Sequence, residues 1–333
     1  DIYAEPNIAD PEISSTPVRE KLAGLYQRRA NLAPLAESTL QSQMSHTLAD
    51  LGLTLWGQPI PPVLYHSTPL PLALIVSPRE EIRQIADVSL LPDLTIDQRA
   101  ALEDQVDRAL NVSSLVVPIG GIGFYPTMVY QTNSLIALSE VVAHEWVHNF
   151  LTLRPLGINY LTSPELRTMN ETAASIAGKE ISLALIERYY PEFAPPPQPP
   201  ASEASPSSDE APLAPVFSYN AEMRLTRVTV DQLLAAGKIE EAEAYMEERR
   251  RFFWENGYQI RKLNQAFFAF YGAYADQPGG AAGEDPVGAA VRELRAQSAT
   301  LAAFLNRISW MSSFDQLNQA VLENRNDDPL SAR

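Results

Sequence analysis

Apolar positions along the chain change period several times, and each change marks an element. Leu22, Leu25, Leu32, Leu35, Leu40 and Met44 recur at helix-like spacings, which predicts a helix opened at Thr16-Pro17 and running to about Leu51. Pro59, Pro61 and Pro62 then punctuate the chain. Residues 72–77 (LALIVS) form a short apolar run bounded by prolines, which reads as a strand. Asp97 is read as the cap of a helix reaching about Leu110, with Ala101, Leu102, Val106 and Leu110 along one side. Residues 113–119 (SSLVVPI) read as a second strand, and 121–130 (GIGFYPTMVY), opened by glycine, as a third. Helical patterning returns over 133–151 and again over 163–190. Residues 219–325 are nearly all helical by pattern, broken at Gly279-Gly280 and Asp285-Pro286.

Between these stretches the pattern vanishes. Residues 194–215 hold eight prolines among Ser, Ala and acidic residues, a composition that buries too little apolar surface to order itself. The expected organisation is therefore a flexible tail over 1–16, a first part over 17–193, a Pro-rich linker or surface insertion over 194–216, and a helical part over 217–325.

Composition narrows the function classes. With 333 residues and 45% apolar content, the chain can build a large core. Its 25 Lys and Arg against 41 Asp and Glu give a net charge of −16, which argues against nucleic acid as a partner and against anionic surfaces generally. The absence of Cys excludes disulfides, thiolate nucleophiles, zinc knuckles and iron–sulfur ligation. No apolar stretch approaches the 18 or more residues that read as a membrane span. The chain opens at Asp1 with a polar, Pro-rich stretch. It reads as a trimmed ectodomain, secreted or membrane-anchored, and so extracytoplasmic.

Two of the four histidines fall in His144-Glu145-Trp146-Val147-His148. By composition an HExxH arises by chance at a frequency on the order of a few per thousand, so this one carries chemistry. Residues four apart on a helix stack on one face, and both imidazoles reach a single metal ion, zinc for this motif. Glu145, about 100° further round, stands beside the metal without ligating it. There it serves as general base on a metal-activated water. Catalytic zinc usually takes three protein ligands, and His46 and His66 lie far upstream. A carboxylate on the following helix must complete the set. Glu171, with 22 residues between it and His148, is the first choice; Glu165 and Glu180 on the same helix are its rivals.

HExxH followed by Asn170-Glu171-Thr172-Ala173-Ala174 resembles the gluzincin metallopeptidases, particularly their aminopeptidase-like branch. The resemblance implies His144, His148 and Glu171 as zinc ligands and Glu145 as base, with Ala174 as the small residue that lets the two helices approach. Thermolysin-like members carry Asp where this chain has Ser175. The resemblance also implies an edge strand ahead of the HExxH helix that pairs with the substrate backbone. Gly120 to Pro126 occupies that place, with Gly121 and Gly123 allowing close approach. Residues 261–266 (RKLNQA) and 269–274 (AFYGAY) resemble a stretch of bacterial aminopeptidases in which an Asn-containing helix ends in a Tyr near the site. That makes Asn264 a substrate-binding candidate. Tyr274, then Tyr271, are the candidates for stabilising the oxyanion.

The fold that follows is α+β: a zincin-like domain with a small sheet over the HExxH helix and a helical C-terminal part closing the cleft. The function is zinc-dependent hydrolysis of a peptide or protein substrate, aminopeptidase-like in its resemblance. Two alternatives are a non-catalytic binding or scaffold protein of the cell envelope on the same fold, and a zinc enzyme acting on a non-peptide bond. The dense aromatic stretch from Phe252 to Tyr274 reads mainly as core.

Overall fold

The computed structural model describes residues 10–122, 125–195, 217–276 and 280–326. Gly123 and residues 196–216, nearly all of the expected linker, lie outside the described residues. In chain order the elements are α1 (Pro11–Asp50), β1 (Tyr65–Ser67), β2 (Leu72–Pro78), β3 (Ala86–Leu90), α2 (Ile96–Leu110), β4 (Val112–Pro118), β5 (Gly121–Ile122), β6 (Thr127–Val129), α3 (Leu135–Leu151), α4 (Pro155–Ile158), α5 (Pro164–Tyr189), α6 (Tyr219–Ala235), α7 (Ile239–Glu255), α8 (Gln265–Tyr271), α9 (Pro286–Gln297), α10 (Leu301–Ile308) and α11 (Phe314–Asn326). The class is α+β.

Two small sheets organise the strands. In the first, β2 is central and antiparallel to both neighbours, Leu74 facing Val88 of β3 and Val116 of β4. Both faces of β2 are covered, which is why its sequence is continuously apolar instead of alternating. Leu72, Leu74 and Val76 pack with Val116 beneath Leu102 and Val106 of α2. On the other face, Ala73 and Ile75 pack with Leu115, Val117 and the apolar sides of α6, α7 and α8, including Met223, Met246, Phe253 and Phe268. In the second sheet, in order β1-β6-β5, β1 runs parallel to β6 and β5 antiparallel to it.

The larger core surrounds the pair α3 and α5. Ala143, Val147 and Leu151 of α3 and Met169, Ala173, Ala177 and Ile181 of α5 are wholly buried. Met44 and Leu48 of α1, together with Val291, Phe304 and Leu317 from α9, α10 and α11, complete it. Both cores thus draw residues from either side of 196–216. The Pro-rich segment interrupts the sequence and not the core.

Local signals explain most element ends. Thr95, not Asp97, caps α2: its hydroxyl accepts from Gln98 N while the Gln98 side chain accepts from Thr95 N, a reciprocal capping box. Ser134 and Ser163 cap α3 and α5. The helix expected from Thr16-Pro17 begins six residues earlier, at Pro11, because Asp10 accepts from Ile13 N and Asp-Pro is the stronger start signal; Pro17 sits inside it. The single strand expected over 121–130 is two short strands, β5 and β6, paired with each other. Sequence patterning missed β1 and β3, whose residues are few and partly polar.

The stretch around Asn264 is a clamp on the first sheet. Glu103, fully buried, accepts Val116 N at 2.6 Å and both terminal nitrogens of Arg261 at 2.5 and 2.8 Å. Lys262 reaches Asp107 at 2.9 Å. Asn264 donates to Ser114 O at 2.8 Å and caps α8 by accepting from Phe267 N at 3.0 Å. Glu103→Ala leaves Arg261 half-buried without its carboxylate and Val116 N without an acceptor. The expected cost is about 3–5 kcal/mol of folding stability, read from urea denaturation.

Candidate metal centre

α3 and α5 lie close enough for their side chains to share one point. The approach is set at Gly178: a Cβ there would stand 3.2 Å from His144 Cα and from the Glu140 carbonyl oxygen. Ala174, expected to serve this purpose, is also fully buried in the contact. One turn further, Ser139 and Ser182 hydroxyls meet at 2.6 Å. The backbones are therefore fixed at His144 and in the turn that precedes it.

Next to these anchors three groups converge. His144 Nε2 and His148 Nε2 face each other at 3.0 Å. Glu171 Oε2 lies 3.5 Å from the first and 3.4 Å from the second. The tetrahedral edge for ligands about 2.0–2.1 Å from zinc is roughly 3.3–3.4 Å, so the triangle has the size of one face of a four-coordinate site. Glu171 Oε2 is buried with no hydrogen-bond partner. A buried carboxylate oxygen is costly unless compensated, and either a protonated imidazole beside it or a cation held by all three atoms supplies that compensation. Among the described residues these three form the group of His and carboxylates able to hold a metal. Of the rivals, Glu180 is engaged by Arg295 at 2.8 Å, and Glu165 is exposed.

Supporting groups fix two of the three candidate ligands. His148 Nδ1 meets Asn170 Oδ1 at 2.8 Å, and the Asn170 amide nitrogen is turned to Leu156 O at 3.4 Å. An amide oxygen only accepts, so Nδ1 carries the proton and Nε2 presents its lone pair to the shared point. The Tyr160 hydroxyl donates to Glu171 Oε1, which leaves Oε2 as the free ligand atom. Burial and the Glu171 charge push the Tyr160 hydroxyl up, so it stays a donor. Burial alone would lower the Arg167 guanidinium, but Tyr160, Glu171 and Tyr274 around it hold it up. Tyr160, Arg167 and Gly178 were not singled out from sequence, and Asn170 was quoted in the motif without a role. Asn170 and Gly178 had signals, as the immediate neighbour of Glu171 and as the residue two helical turns beyond it. Tyr160 sits in an irregular connection with no periodicity to mark it.

The triad lies on the floor of a cleft of about 760 Å³ that also exposes Glu145, Gly121, Tyr271 and Tyr274. β5 forms one edge. Gly121 is required there because any Cβ would collide with the Glu145 carboxylate. Glu145 is buried, and its pKa is raised by desolvation and the Glu171 charge, against the opposing pull of the histidines. Tyr274 stacks obliquely on His144, ring centroids 6.1 Å apart; its hydroxyl is held well above the usual tyrosine range by burial and by Glu171. Tyr271 is farther toward solvent, against Phe267 at 4.6 Å. The aromatic stretch splits accordingly: Phe253, Phe267 and Phe268 are core, while Phe270, Tyr271 and Tyr274 line the cleft. Asn264 is not brought to the cleft, since both ends of its amide serve the fold. Ser175 lines it.

Comparison of the chain with protein-family models, with curated proteins and with solved structures finds no match.

Proposed function

We propose that the chain is a zinc-dependent peptide hydrolase with a zincin-like catalytic core. The observation that carries the reading is the triangle of His144 Nε2, His148 Nε2 and the unpartnered Glu171 Oε2 beside a buried, separate carboxylate, Glu145. A divalent zinc held by the three ligands supplies Lewis acidity toward water and a carbonyl oxygen.

The remaining roles belong to the protein. Glu145, its pKa raised by burial, removes a proton from the attacking water at its carboxylate oxygen and returns it to the leaving amine. The edge of β5, kept free of side-chain bulk at Gly121, pairs with an extended peptide backbone. The Tyr274 hydroxyl, protonated at any physiological pH, donates to the oxygen that gains charge. Tyr274 suits this role better than Tyr271 because it lies against His144.

The test is metal content and hydrolysis on one preparation. Inductively coupled plasma mass spectrometry should find about one zinc per chain, and the protein should cleave members of a peptide library. Chelation should remove both, and zinc should restore both. A chain that takes up no zinc on reconstitution would sink the reading.

A further inference from the structure

The cleft around the triad is acidic. Asp87, Glu140, Glu145 and Glu171 line it, and the single Lys or Arg among its described lining residues is Arg167. Arg167 stands on α5 one turn before Glu171, so its side chain leaves the helix on the face that carries the candidate ligand. Its Nη1 donates to Ala269 O at 3.1 Å, which ties it to α8 across the cleft.

This guanidinium differs from its counterparts in what it lacks. Arg79, Arg249, Arg261 and Arg295 are partly buried, and each holds a carboxylate, on Glu243, Glu222, Glu103 and Glu180. Arg167 is also partly buried, yet it forms no ion pair among the described residues, and its Nε is buried with no hydrogen-bond partner. Tyr160 and Tyr274 beside it are neutral hydroxyls. Glu171, whose charge reaches it, has both oxygens directed elsewhere, Oε1 to Tyr160 and Oε2 to the histidines. Asp87, on β3, feels the Arg167 charge without touching it. A guanidinium offers five donors in a fork that matches a carboxylate, and a buried cation without a partner is costly.

We propose that Arg167 receives a carboxylate of the substrate, so that the cleft selects peptides carrying one within about two residues of the bond to be cleaved. The cleaved bond rests on the peptidase reading; the anion site does not. Four residues of α5 rise about 6 Å, and an extended peptide covers about 3.3–3.6 Å per residue, which sets that range. Anywhere else in the cleft the same carboxylate would face Asp87 or Glu140 without a cation, so binding at Arg167 also fixes the register of the peptide. A free C-terminus and an Asp or Glu side chain supply the same chemistry.

The experiment uses short N-acetylated peptides in three matched forms: a free C-terminal carboxylate, a C-terminal amide, and a C-terminal amide with one Glu. Binding is measured by calorimetry on Glu145→Gln, which does not turn the peptides over, and hydrolysis on the wild type. Both are repeated with R167Q and with R167K. At least one carboxylate form should bind about tenfold more tightly than the plain amide and be cleaved with a correspondingly higher kcat/KM; the preferred form names the source of the carboxylate. R167Q should abolish the preference, and R167K should keep part of it. A wild-type cleft that treats charged and neutral forms alike overturns the inference. So does a loss in R167Q that falls equally on all three peptides, which assigns Arg167 to holding Tyr160 and α8. Carboxylate binding that depends on Arg167 without any hydrolysis keeps the anion site and removes the peptidase reading, and hydrolysis without the preference does the reverse.

Discussion

Glu145→Gln is expected to lower kcat by about 10²–10⁴-fold, the share that a positioned general base contributes, while metal content stays at the wild-type level. The side chain keeps its shape, so the contact with Gly121 that seats it is undisturbed. The amide has no basic oxygen to take a proton. The three candidate ligand atoms belong to other residues, and their supporting bonds to Asn170 and Tyr160 do not involve Glu145. Metal analysis and steady-state hydrolysis on the same samples separate the alternatives. Loss of hydrolysis with metal retained supports an enzyme. A metal-loaded wild type as inert as the variant toward peptides, esters and amides points to the scaffold role. Hydrolysis that survives the substitution within a few-fold removes Glu145 from the mechanism.

The site was more legible than the fold around it. HExxH is a local code: its spacing of four is a statement about one face of one helix, and α3 formed as its apolar run requires. Glu171 was reachable because a third ligand had to be a carboxylate on the next helix. The supporting groups were not reachable in that way. Tyr160 meets Glu171 only through the path of the α3–α5 connection, and the value of Gly178 depends on which face of α5 meets His144. The strands show the same division. β2 announced itself because burial on both faces leaves a continuous apolar run. β3 stayed hidden because Asp87, Val88 and Ser89 are solvent- or cleft-facing and its pairing with β2 is set by backbone register. The RKLNQA stretch shows the limit of resemblance. Its Arg, Lys and Asn side chains are occupied in holding α8 to the first sheet, and only the tyrosines beyond it arrive at the cleft.

Glu171→Ala should weaken metal binding by more than the ~10–100-fold that loss of a supporting group costs, and its effect on the metal-free protein should carry a distinct pH signature. Burial alone would lower the His148 pKa, but the Glu171 carboxylate outweighs it and carries the imidazole up to about 9. Burial would raise Glu171, yet the two histidines draw it well below its usual 4.5. A raised histidine contributes its stability in full below its unfolded pKa of 6.5 and loses it as pH rises through about 9. A lowered carboxylate contributes above 4.5 and loses its share as pH falls. Both describe one ion pair, which therefore supports the metal-free fold most strongly between about pH 4.5 and 6.5. The stability gap between wild type and Glu171→Ala should be widest in that window and should close toward pH 9. In the variant only the Glu145 charge and the Asn170 hydrogen bond still oppose burial at His148, so its pKa should fall from about 9, visible in an NMR titration of the ring protons. The same proton competes with metal. Wild-type affinity should climb roughly tenfold per pH unit from about 6.5 toward 9 as His148 becomes free to ligate, and the variant's slope should level off at a lower pH. A variant that kept full metal affinity would transfer the third ligand to another carboxylate of the cleft, Asp87 or Glu140. The pH dependence would then follow that residue and not Glu171.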